Sequence, residues 1–120
     1  MTESLEGERR AEFLRGVDLF NAGRYWDSHE AWEAVWKTAS GDERLFWQGL
    51  IQAAAAMVHR QKGNPHGIAV LSRKALEKLE RFGDERHGVD LARFRDDVRA
   101  AAAGGEWPRV RLTGEPDRSR

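Results

Sequence analysis

The chain has 120 residues, which is enough for a single hydrophobic core, and it contains no cysteine. Disulfides, thiolate nucleophiles and cysteine-based zinc sites are therefore excluded. Its 20 basic side chains are balanced by 20 acidic ones, so the broad positive field that favours nucleic-acid binding is missing, and nucleic acid is not an expected partner.

Apolar residues recur at intervals of three and four almost throughout the chain, a pattern that predicts helices. The predicted fold is all-α: a compact antiparallel bundle of about five helices with a short extended C-terminal tail. The first helix is predicted over residues 6–21 and the second over residues 25–39. Gly23 lies between them, at the position of a left-handed C-cap.

The third helix, predicted over residues 42–61, is apolar around most of its circumference. Such a helix is usually surrounded by others, so we expect it at the centre of the bundle. Asn64 is a good N-cap and Pro65 a good first residue for a fourth helix that continues to residue 82. A fifth helix is predicted over residues 90–103.

Beyond the fifth helix, residues 106–112 are predicted to lie extended along the bundle, with Trp107 as their anchor. The predicted domain comprises residues 1–112. Residues 113–120 are expected to be disordered because they have nothing to bury. His87, in the charged loop before the fifth helix, is expected to be exposed.

The N-terminal segment lacks the apolar core of a signal peptide. The longest apolar run, around residues 49–58, is too short and too interrupted to cross a bilayer. We therefore predict a cytoplasmic protein without a membrane partner.

Polar residues share the core-facing side of the second predicted helix with its aromatic residues. At about 100° per residue, Tyr25, His29, Trp32 and Trp36 fall within roughly 60° of one another, and Glu33 lies just beside them. Glu33 is one helical turn after His29, a spacing at which the two side chains can pair.

The third predicted helix carries a similar stripe, with Gln48, Gln52, Ala55 and His59 spread over roughly 60°. An unsatisfied buried polar group costs roughly 1–3 kcal/mol, so we expect the two stripes to face each other. We call the predicted cluster the polar seam. Its members, which are the candidate binding residues, are His29, Glu33, Trp36, Gln48, Gln52, His59 and Asn64.

At these residues the chain resembles a known family, the domain of unknown function 309, whose pattern includes an aromatic-bearing H-E-x-x-E-x-x-W helix. The matching segments are residues 20–36 and 46–71, and the resemblance covers about residues 13–82. It implies an all-α bundle and no particular activity. The positions that match the family pattern are His29, Glu30, Glu33, Trp36, Gln48, Gly49, His59, Asn64 and Gly67.

We favour a noncatalytic binding or interaction module, in which the seam and its tryptophans form a concave site for a small polar ligand or a protein partner. Such a module needs no cofactor. In a second interpretation, the polar residues pair with one another in a hydrogen-bonded network that only fixes the register of the helices. Because the chain has five tryptophans, association of two copies through one or two of them also stays open.

The enzymatic alternative is a metal-dependent hydrolase in which His29, Glu33 and His59 bind a divalent metal, since two histidines and a glutamate are a known catalytic zinc set. Glu30 would then be the base. Residues 29–33 read H-E-A-W-E, which departs from the zinc-protease motif H-E-x-x-H at its last position. This alternative therefore requires the three side chains to meet at one point, whereas an open seam lined by tryptophan favours binding.

Overall fold

Five α-helices account for most of the fold in the computed structural model, which describes residues 5–114. The prediction of an all-α protein is confirmed, and one very small β-hairpin is added to it. The helices are α1 (Gly7–Asn21), α2 (Tyr25–Trp36), α3 (Asp42–Gln61), α4 (Pro65–Leu79) and α5 (Leu91–Ala102). The hairpin strands are β1 (Glu85–Arg86) and β2 (Val89–Asp90).

The helix boundaries follow the local signals in the sequence. α3 begins and ends at the predicted residues. At the start of α4, the Asn64 side chain accepts a hydrogen bond from the backbone N–H of Gly67 at 3.2 Å, as an N-cap should. Two ends differ from the prediction by more than one residue: α2 stops at Trp36, and α4 gives way to a single 3₁₀ turn at Glu80–Phe82.

α3 lies at the centre of the bundle, as predicted, and packs against both α2 and α4. Two glycines allow the close approach of α4. A Cβ added to Gly49 would lie 2.8 Å from Cδ2 of Leu79, and one added to Gly67 would collide with the imidazole ring of His59. Both glycines are helical, so here the missing side chain, rather than backbone freedom, is what the packing requires.

The hairpin was not predicted. β1 pairs with β2 in antiparallel register, with Arg86 opposite Val89. The two residues between the strands, His87 and Gly88, have φ angles of +52° and +81°. Positive φ at both central residues is the signature of a type I′ turn, which is usually built from Asn-Gly or Asp-Gly. A histidine in the first position gives a weaker sequence signal, because it enters this region less readily than glycine.

The C-terminal segment lies extended along the bundle, as predicted, but its anchor is not Trp107. Val110 is 3% exposed, whereas Trp107 is 43% exposed. The amide of Asn21 donates to the carbonyl of Val110 at 2.9 Å and accepts from its N–H at 2.8 Å. The position of the segment therefore depends on the buried side chain of Val110 and on Asn21, whose amide pairs with the Val110 backbone as a neighbouring strand would. The ring of Trp107 stays partly exposed.

Further along, Leu112 forms an isolated β-bridge with Val89, and the N–H of Thr113 donates to the carbonyl of Gly88 at 2.6 Å. Most of the predicted disordered tail, residues 115–120, lies outside the described residues. The limits of the domain stay a prediction. Within residues 5–114, no helix has the length and apolarity that crossing a membrane requires.

Candidate functional site

The seven residues of the polar seam lie on α2, on α3 and in the turn before α4. All of them are partly buried except Asn64, which is exposed. They do not belong to the fully buried core, which is formed by residues such as Trp32, Trp47 and Leu50. Each of these seven side chains is therefore at least partly open to solvent.

One hydrogen bond joins two members of the polar seam within residues 5–114. Nδ2 of Asn64 lies 3.0 Å from Nδ1 of His59. With the amide nitrogen donating, Nδ1 of the imidazole accepts and the ring proton is on Nε2. Because Asn64 also caps α4 and His59 packs on Gly67, this pair stabilises the α3–α4 turn.

His29 stacks on the exposed ring of Trp26, with ring centroids 5.1 Å apart and an interplanar angle of 6°. Its Nδ1 atom is buried and has no hydrogen-bond partner in the described part of the chain. Oε1 of Gln52, on the neighbouring helix α3, is likewise buried without a hydrogen-bond partner among residues 5–114. The sealed hydrogen-bonded network is therefore not formed at these two residues.

The other members of the polar seam are also without the partners expected from the sequence. Among residues 5–114, neither Glu33 nor Gln48 forms a side-chain hydrogen bond, so Glu33 does not pair with His29. At Trp36, the guanidinium of Arg44 lies 4.0 Å from the centroid of the indole ring, in a cation–π contact. The seam thus contains one structural pair, one aromatic–cation contact and several polar groups that are not engaged.

The three candidate metal ligands are not brought together. Within residues 5–114, no three histidine, aspartate or glutamate side chains lie close enough together to hold a metal ion. His29, Glu33 and His59 therefore do not converge, and the environments of the two histidines show why. The imidazole of His59 is engaged by Asn64, whereas that of His29 lies on Trp26.

A buried ionisable cluster lies elsewhere, and the sequence did not reveal it. Glu43, in the first turn of α3, is 4% exposed. One carboxylate oxygen lies 2.6 Å from Nε2 of His87, and the other accepts from Nε and Nη2 of Arg86 at 3.1 and 2.9 Å. The expectation that His87 is exposed was wrong, because the hairpin turn folds its side chain back against Trp47.

An open cavity of about 480 Å³ lies at the end of the bundle where α1 and α3 finish and α2 begins. No member of the polar seam lines it. Tyr25 and Trp107 stack there with ring centroids 5.5 Å apart, and Nε2 of Gln61 donates to the carbonyl of Gly23 at 2.9 Å. The lining residues are Asn21, Ala22, Gly23, Tyr25, Gln61, Trp107, Pro108 and Arg109.

Tyr25 contributes an ionisable hydroxyl to this cavity. Burial raises the pKa of its phenol above the usual value, and the positive charges of Arg60 and Arg109 oppose that rise only in part. The hydroxyl therefore stays protonated at neutral pH and can donate a hydrogen bond. From the sequence alone, Tyr25 is only part of the aromatic stripe on α2, because the C-terminal segment that completes the cavity is remote in sequence.

Fold and site together define a small helical-bundle domain with a partly exposed polar edge. Comparison with known proteins gives its family. Residues 13–71 match the family model described as "Domain of unknown function (DUF309)" and belong to that family, which confirms the resemblance. An uncharacterised protein of Aquifex aeolicus (strain VF5) is 32% identical over 89 residues, which is 72% of this chain. The chain spans 27% of the length of that relative.

Proposed function

We propose that the protein is a noncatalytic binding module that acts in the cytoplasm and takes a small polar ligand at the polar seam. One observation carries the proposal: Nδ1 of His29 and Oε1 of Gln52 are both buried, and neither has a partner among the described residues. The two residues lie on helices that pack against each other, and each is itself only partly buried.

Unsatisfied polar atoms are costly. A buried acceptor left without a partner destabilises a protein by about 1–3 kcal/mol, and most such atoms in native proteins are satisfied. If the only task of His29 and Gln52 were to fix helix register, they would be expected to bond to each other or to their neighbours. Groups whose partner comes from outside the chain are instead what a binding site requires.

The chemistry of the two atoms narrows the ligand. Oε1 of Gln52 only accepts hydrogen bonds, so a ligand that satisfies it must present an N–H or O–H group. Nδ1 of His29 either accepts or donates, depending on the tautomer. The ligand class is therefore a small polar molecule with at least one hydrogen-bond donor. It packs beside the stacked rings of Trp26 and His29.

A catalytic role is less well supported. Covalent catalysis needs a nucleophile beside a base, yet the chain has no cysteine, and the buried hydroxyls of Ser28 and Ser72 form no hydrogen bond within residues 5–114. Metal-dependent hydrolysis needs converging donors, which the three candidate ligands do not provide.

The test compares stability with binding in one pair of variants. Gln52→Met removes the unsatisfied oxygen at similar volume, and we expect its free energy of unfolding to be unchanged or raised by up to about 1 kcal/mol. The matched control is Gln48→Met, on the same stripe of α3 but without a buried unsatisfied atom. Native mass spectrometry of gently purified protein should show a bound small molecule that the Gln52→Met protein lacks.

Two results would contradict the proposal. One is a loss of about 1–3 kcal/mol in Gln52→Met but not in Gln48→Met, which would mean that the oxygen has a structural partner. The other is a protein that carries no small molecule in native mass spectrometry and takes none up in a screen of polar metabolites.

A further inference from the structure

The cavity beside Tyr25 combines flat aromatic surface with one cation. Among the described residues that line it, Arg109 is the charged one and none is an acid. In the described part of the chain Arg109 forms no ion pair, although arginines nearby do: Arg111, two residues on, is 2.7 Å from Asp97. Nε of Arg109 is also buried without a hydrogen-bond partner.

A second polar group faces the same space. Tyr25 is 3% exposed and lines the cavity, and within residues 5–114 its hydroxyl forms no hydrogen bond. The ring is buried, whereas the hydroxyl oxygen is not among the buried atoms that lack a partner, so it is open to the cavity. Tyr25 and Arg109 therefore present an O–H donor and a guanidinium to one cavity, and among residues 5–114 no side-chain or backbone acceptor binds either group.

The surroundings add positive potential and a stacking surface. The guanidinium of Arg60 lies 4.0 Å from the ring centroid of Trp107, which is itself stacked on Tyr25. At the N-terminus of α2, which begins at Tyr25, the carboxylate of Asp27 in the first turn is paired with Arg24 at 2.6 Å, so this turn adds no net negative charge.

We propose that this cavity is a second binding site, separate from the polar seam, for a small aromatic anion. The carboxylate or phosphate of the ligand binds Arg109 and the hydroxyl of Tyr25, and its planar ring packs on Trp107. A volume of about 480 Å³ suits such a molecule, because ligand pockets commonly measure about 300–1,000 Å³. A cationic ligand is disfavoured by the two arginines.

The probes are benzoate and phenyl phosphate, with benzamide as the neutral counterpart of benzoate and with acetate and inorganic phosphate as ring-free anions. Binding is followed by NMR through the indole N–H signals. We expect benzoate or phenyl phosphate to shift the signal of Trp107 and not that of Trp26, which is also exposed but lies away from the cavity. The preferred probe identifies the anionic group that the site accepts.

Arg109→Gln should weaken binding of the preferred probe by at least about tenfold, since a charge-assisted contact is lost. Arg93→Gln, which removes the same charge from the exposed side of α5, is the matched control and should leave binding unchanged. Tyr25→Phe removes only the hydroxyl and provides a second variant that should fold. It should weaken binding while leaving stability intact, because that hydroxyl has no partner within residues 5–114.

The proposal is wrong if benzamide and benzoate bind equally well, or if Arg109→Gln does not change binding. It is also wrong if neither anionic probe shifts the indole N–H signal of Trp107 at about 10 mM. The result is separable from the test of the polar seam, because the Gln52→Met protein should bind the aromatic anion as well as the unaltered chain does.

Discussion

The carboxylate of Glu43 lies 2.6 Å from Nε2 of His87, and the two residues are brought together from α3 and the hairpin turn, 44 positions apart. Both side chains are nearly withdrawn from water, at 5% and 10% exposure. The imidazole also stacks on Trp47. This contact therefore ties the loop before α5 to the central helix, and Arg86, which binds the other carboxylate oxygen, reinforces it.

Removing that carboxylate should destabilise the protein strongly. In Glu43→Ala, Arg86 and His87 lose their partner while they remain largely buried, and we expect the free energy of unfolding to fall by about 3 kcal/mol, as when one member of a buried ion pair is removed. Chemical denaturation measures the change. Glu77→Ala serves as the control, because Glu77 forms an exposed pair with Arg73 at 3.6 Å and should contribute less than about 0.5 kcal/mol.

Gly67 should tolerate no side chain while His59 is present. Within a helix, Gly→Ala normally stabilises by up to about 1 kcal/mol, and Gly67 is the third residue of α4. Here the added Cβ would collide with the imidazole of His59, so we expect Gly67→Ala to destabilise by about 1–3 kcal/mol. The sign should reverse in the background of His59→Ala, where the obstacle is gone. A thermal unfolding series of the two single variants and the double variant tests this, and a stable Gly67→Ala protein would contradict the packing described.

Local signals in the sequence predicted much of the fold. The limits of α3 and the start of α4 at Asn64 and Pro65 follow from apolar periodicity and from capping, which act over a few residues. The faces of α2 and α3 on which the polar residues lie were also predicted, since helical periodicity fixes the faces. Their partners were not, because hydrogen bonding depends on how neighbouring helices are rotated and spaced.

The features that the sequence did not predict depend on contacts between segments that are remote in sequence. Nothing around Glu43 indicates that a hairpin will place His87 against it, and the turn itself lacks the usual Asn-Gly signal. The cavity beside Tyr25 is completed by Trp107, which the sequence alone presents as an anchor of the tail. The five tryptophans of the sequence therefore do not themselves indicate that Trp26 and Trp107 are the exposed ones.

Stability at high pH should depend on Tyr25. Burial raises the pKa of its phenol in the folded protein, so as pH rises the unfolded chain ionises first, near the usual tyrosine value of about 10. The contribution of the neutral, buried phenol to the free energy of unfolding is fully present below that pH. It is lost as pH rises from there toward the pKa of the folded protein. Tyr25 is the single tyrosine of the chain, so the ultraviolet absorbance of the phenolate reports its titration directly.

The comparison protein for this experiment is Tyr25→Phe. Its free energy of unfolding should decline less between neutral pH and high pH than that of the unaltered protein, because the ionisable group is gone. If the two proteins lose stability in parallel, or if the phenolate appears at the pH of free tyrosine, Tyr25 is not buried as described.

The C-terminal segment should detach when Asn21 is shortened. The two hydrogen bonds between its amide and the backbone of Val110 hold the segment against the end of α1. Asn21→Ala removes both, and we expect a loss of about 1–2 kcal/mol, together with faster hydrogen exchange at the amide of Val110. Ser40→Ala, at an exposed position in the α2–α3 turn, is the control and should change neither quantity.

Hydrogen exchange distinguishes local from global loosening in this experiment. If the segment opens by itself, the amide of Val110 should exchange faster in Asn21→Ala while amides in the middle of α3, such as that of Ala54, keep most of their protection. Because Trp107 and Arg109 lie on the same segment, this variant should also weaken the aromatic-anion site beside Tyr25. An unchanged exchange rate at Val110 would mean that the buried valine side chain, rather than the asparagine, holds the segment in place.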